Sequence, residues 1–62
     1  MPSLIDITAA SIALIHPGAP YEWIEKAAKE MIWFSSQNPN PSIEQMDALN
    51  ERINKMCTTG EW

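Results

Sequence analysis

Three stretches of this chain repeat apolar residues every three or four positions, and each break between them carries proline or glycine, which predicts three helices joined by short turns. The first covers residues 4–15, "LIDITAASIALI". Leu4, Ile5, Ile7, Ala9, Ala10, Ile12, Ala13, Leu14 and Ile15 surround it almost completely, the pattern of a helix that neighbours cover over most of its circumference. Isoleucine also suits a strand, but the three alanines favour helix. Ser3 and Asp6 stand at the spacing of a capping box, with Asp where Glu or Gln is usual. The segment "HPGAPY" then makes a tight corner: Pro17 biases His16 away from the α region, Gly18 permits positive φ, and Pro20 suits the first turn of the next helix.

The second helix is expected over residues 20–36. Glu22 with Lys26 and Glu25 with Lys29 form i,i+4 pairs on its solvent side, each contributing a few tenths of a kcal/mol. At 100° per residue Ile24, Ala28, Met31 and Ser35 cluster into a core stripe with Tyr21, Ala27 and Ile32 around them. Phe34 falls at one edge of that stripe beside Trp23 and Ala27. Trp33 lies about 180° from Ile24, among Glu22, Lys26 and Lys29. It is either a ring lying over lysine stems or a contact residue, and Trp23 joins it as a candidate, because tryptophan is enriched where interfaces concentrate their binding energy.

"NPNP", residues 38–41, ends the second helix, and Ser42 with Gln45 repeats the capping-box spacing at the start of a third over residues 43–58. Met46, Leu49, Ile53 and Met56 recur at spacings of three, four and three, flanked by Ile43 and Cys57, a narrow seam of the coiled-coil kind. Two heptads are too few for an autonomous coiled coil. The seam either completes a three-helix core or pairs with a second copy, and its methionines make either surface adaptable. Gly60 is the expected stop, and Trp62 frays unless it packs back. The fold class is therefore all-α, a single small three-helix domain over residues 1–62.

Length changes the picture in one respect. A chain of 62 residues sits near the lower limit for a core that holds without disulfides, metals or a partner, so a homo-oligomer is expected. Hydrophobic residues make up 45% and charged ones 19%, the balance of a folded globule. The net charge is −4, which gives no basic field for nucleic acid or anionic lipid. A single cysteine, Cys57, cannot staple the fold and fits a reducing cytoplasm as a small core residue. The apolar first segment lacks a basic leader, carries Asp6, and is too short for the roughly 20 residues that cross a bilayer, so it reads as a core helix.

Reactive groups do not assemble into a catalytic pattern. His16 stands in a turn without a second ligand near it, Cys57 lies on another helix, and "HPGAP" lacks the lysine of a phosphate loop. No cofactor or metal is expected, and an enzyme is not. A helix-turn-helix DNA binder is the competing class, since the third helix offers Gln45, Asn50, Arg52, Asn54 and Lys55; Glu44, Asp47 and Glu51 on the same helix would repel phosphates. A membrane-active peptide would need the first helix to leave the core.

The stretch "ALIHPGAPYEWIEKAAKEMIWFSSQN" resembles small helical proteins of temperate phages and prophages, in which an apolar helix, a Pro/Gly corner and an "EKA…F" helix follow one another. It is similar in size and style to the accessory proteins encoded between the exonuclease and excisionase genes of lambdoid phages. The resemblance spans roughly residues 4–38 and carries no catalytic motif. It implies a cytoplasmic, all-helical, early-expressed protein that influences development by binding host or phage proteins, and it transfers no functional residue.

Overall fold

The structure, a computed structural model, describes residues 3–61; Trp62 lies outside them. Three helices follow in order, α1 (Leu4–Ile15), α2 (Tyr21–Gln37) and α3 (Ile43–Thr59), and the described residues contain no strand. The all-α expectation holds, with boundaries displaced by a residue at most. Both capping boxes form. Ser3 and Asp6 exchange backbone-to-side-chain hydrogen bonds of 3.2 Å, and the Ser42 and Gln45 amides do the same at 2.9 and 3.2 Å. Each pair satisfies amides that have no partner inside the helix.

Two details of the first corner differ from expectation. Pro20, at φ −59° and ψ 146°, stands before α2 as its cap position. The ring fixes φ but ψ is extended, and its carbonyl accepts the Trp23 and Ile24 amides. Gly18 does not use its conformational freedom, because the only glycine with positive φ among the described residues is Gly60. The corner turns on the two prolines instead. His16 caps α1 through its amide, which donates to the Ile12 carbonyl at 2.8 Å, and its ring Nε2 donates to Asn54 Oδ1 of α3 at 2.9 Å. One residue thus closes the turn with its backbone and ties the first helix to the third with its side chain.

α2 is the central element. α1 and α3 each pack on it, and nowhere do Cα atoms of α1 and α3 come within 8 Å of one another. The core is one cluster: Ala9 and Ile12 from α1, Ile24, Ala27 and Ala28 from α2, and Leu49, Ile53, Met56 and Cys57 from α3. Ala13, Ala19, Trp23, Met31 and Phe34 pack against its edge. The α2 stripe is therefore rotated from the expected one. Ser35 and Tyr21 are exposed, while Trp23, Ala27 and Phe34 turn toward α3, where Glu30 meets Arg52 at 2.9 Å. Of the two expected pairs within α2, Glu25–Lys29 closes at 3.2 Å and Glu22–Lys26 does not.

The largest departure concerns α1. Its all-round apolar composition suggested cover on most sides, yet only Ala9 and Ile12 are buried. Each connection is short, residues 16–20 and 38–42, so the chain folds back locally and α2 alone borders α1 along its length. A helix touched by one neighbour can bury only one face.

The end of α3 is held by Trp23. Gly60 adopts φ 77° and its amide donates to the Met56 carbonyl at 2.9 Å, and a Cβ on it would lie 2.6–2.8 Å from three atoms of the Trp23 indole. Gly60→Ala meets both a left-handed backbone and a ring, and should cost about 2 kcal/mol. Gly18→Ala meets nothing within 4 Å and should be neutral or stabilising by about 0.4–1 kcal/mol through the unfolded chain. Thermal melts of the two variants check this; equal melting temperatures would contradict it.

Candidate interaction surfaces

The six residues expected to form contacts are placed in three different settings. Leu49, Ile53 and Met56 are buried inside the protomer, so of the two roles their spacing allows, completing the core or pairing with a second copy, α3 gives this stripe to the three-helix core. Met46, at the start of the same stripe, is left 49% exposed because it lies beyond the core cluster. Trp23 is half-buried against the core and shields Gly60, so its position is accounted for by folding. Trp33 is 57% exposed.

Trp33 borders an open depression of about 490 Å³ between α2 and the end of α3, lined also by Lys26, Lys29, Glu30, Met56, Gly60 and Glu61. Its exposure, against the half-burial of Phe34, reproduces the division read from the helical period. The depression is wide and carries both signs of charge, so it offers an aromatic ring without enclosing a small molecule.

A second surface was missed in the sequence. On α1, Leu4 is 63%, Ile7 54%, Leu14 85% and Ile15 72% exposed. At 100° per residue these four and Ser11 fall within about 100° of arc, on the side of α1 away from Ile5, Ile12, Ala9 and Ala13. The arc contains no charged side chain. Ser11 does not interrupt it chemically, because its hydroxyl donates to the Ile7 carbonyl at 3.2 Å; a hydroxyl already bonded within its helix can be covered without loss. Thr8 does the same toward the Leu4 carbonyl at 2.8 Å. Beside Leu4 and Thr8 a groove of about 230 Å³ continues onto Met31, Ile32 and Ser35 of α2. The available signal was spacing: Leu4, Ile7, Ser11 and Leu14 recur at three, four and three, as the α3 stripe does, and the serine disguises it.

The remaining reactive groups are dispersed. Among the described residues no three of His, Cys, Asp and Glu gather as a metal site. His16 is engaged with Asn54. Cys57 is a buried free thiol, and burial pushes its ionisation up, so the nucleophilic thiolate is disfavoured. Among the described residues no helix is long and apolar enough to cross a membrane. No protein-family model matches the chain, and no curated protein and no solved structure matches it.

Phe34→Ala removes a ring packed on the core and should cost about 2–4 kcal/mol, whereas Trp33→Ala should cost about 1 kcal/mol or less. Melts of both variants in dilute solution separate the two positions. Cys57 supplies a pH dependence. Its folded value lies above the unfolded one, so its contribution is complete below about pH 8.5 and is lost as pH rises through the folded value. Denaturation midpoints of the wild type should fall with alkaline pH more steeply than those of Cys57→Ala; parallel curves would contradict it.

Proposed function

We propose that the chain is a non-enzymatic interaction protein of the kind encoded by temperate phages, which acts on development in the host cytoplasm by laying an apolar helix face against another protein. The observation that carries the reading is the outer face of α1. An uncharged stripe about 100° wide is what a helix turns toward a core, and here it is turned outward. An exposed apolar face of this extent, rimmed by polar residues, marks a contact surface in a folded protein. The resemblance in size and helical style to lambdoid accessory proteins supports that setting. DNA contact is disfavoured by the net charge of −4 and by the exposed Glu44, Asp47 and Glu51 of α3, which repel phosphates.

The test is binding as a function of one exposed residue. Ile7→Glu places a charge in the middle of the α1 stripe without touching the core, so circular dichroism should be unchanged. Wild-type protein immobilised in bacterial lysate, or mixed with its own labelled copy, should retain a protein that Ile7→Glu loses. Indistinguishable behaviour of the two chains in both formats would contradict the reading.

A further inference from the structure

We propose that the outer face of α1 is covered by α1 of a second copy, running antiparallel, in a two-fold dimer with Ile7 of each chain packed on Ser11 of the other. This names the partner of the surface described above and rests on its reading as a contact face. Three independent observations carry it.

The first is area. The chain exposes 4507 Å², about 500 Å² more than the roughly 4,000 Å² expected of a compact monomer of 7.0 kDa. Its radius of gyration of 11.3 Å likewise exceeds the roughly 10.5 Å expected for this length. The molecule measures 30 × 29 × 16 Å, a slab with α1 bare on one side. That excess belongs to the chain as a whole; a two-fold contact on the α1 face reaches the lower bound of a specific interface, on the order of 1,000 Å², when it covers about 500 Å² on each copy.

The second is register. A two-fold axis requires that if residue i meets residue j, then j meets i. The stripe satisfies this about Ala9, since Leu4 and Leu14 are equidistant from it, and so are Ile7 and Ser11. Antiparallel pairing sets Leu4 against Leu14 and the larger Ile7 against the smaller Ser11, twice each. Large against small is the arrangement that lets facing helices interdigitate.

The third is charge. A copy carrying −4 is repelled by its like unless the acids lie away from the contact, and the arc holds none. Asp6, the one charged residue of α1, lies about 130° from its centre line. The antiparallel arrangement also opposes the two helix dipoles favourably.

Sedimentation velocity on the intact chain and its variants tests this. The wild type should be a dimer with a dissociation constant of about 1–100 μM, as a contact near 1,000 Å² allows. Ile7→Glu should weaken it about a hundredfold or more, the effect of an unpaired charge in an interface, and Leu14→Glu, at the most exposed position, should do the same. Ser11→Lys alone should dissociate the pair, and Ile7→Glu combined with Ser11→Lys in one chain should restore it, because each glutamate then meets a lysine of the other copy. Met46→Glu should leave the mass unchanged.

A monomeric wild type at about 500 μM, a dimer indifferent to Ile7→Glu, a dimer broken by Met46→Glu, or failure of the double variant to recover would each overturn the proposal. If the wild type is monomeric while a lysate protein is still lost on Ile7→Glu, the second copy is refuted and the contact face stands. If nothing binds, both fall.

Discussion

Ala27 and Ala28 are both 0% exposed at the middle of α2, and every other packing feature follows from that pair. Methyl groups at the point of contact let neighbouring backbones come close, and the distance between packed helices is set by the side chains at their crossing. Ala9 and Ile12 of α1 and the Leu49, Ile53, Met56 and Cys57 row of α3 share one cluster around these two residues. The bulky groups of α2 are displaced to the flanks, where Trp23, Met31 and Phe34 close the edges. An increase in volume at Ala27 or Ala28 would push both neighbours outward at once.

Serving two neighbours from one helix leaves each neighbour with a single covered side. α3 is built for this, with charged residues on its other side. α1 is not, and its outer side remains as apolar as its inner one. The two helices also differ in what restrains them: α3 has the Arg52–Glu30 pair and the Trp23 cover at Gly60, whereas α1 reaches α3 through the His16–Asn54 bond at the residue that caps its end. The bare side of α1 is a consequence of the central position of α2 in so short a chain.

Element type and extent were legible because Pro, Gly and two capping boxes punctuate the chain at every boundary. Trp33 and Phe34 were separable because angle alone decides which neighbour of a helix residue is solvated. The α3 stripe illustrates what periodicity leaves open: Leu49, Ile53 and Met56 are apolar at the right spacing for either a core or a partner, and only the position of α2 chooses the core. The rotation of the α2 stripe has the same origin, since alanine and serine are nearly equivalent in pattern until a neighbour arrives. Trp23 shows the limit most sharply, for its role depends on a glycine 37 positions later whose left-handed turn brings it under the ring. In α1 the apolar wheel does not translate into cover, because composition reports only that a surface is apolar and never what lies on it.

The claim on which the account turns is that the outer side of α1 meets its own copy in the antiparallel sense. Leu4 and Leu14 are separated by ten residues of helix, roughly 15 Å at 1.5 Å per residue, too far for a nuclear Overhauser effect within one chain. In a mixture of two isotopically distinct samples, an intermolecular effect between Leu4 and Leu14 methyl groups is expected, growing with protein concentration. A sample of dimeric mass that shows contacts from Ile43 or Met46 across the interface, and none between Leu4 and Leu14, would contradict it.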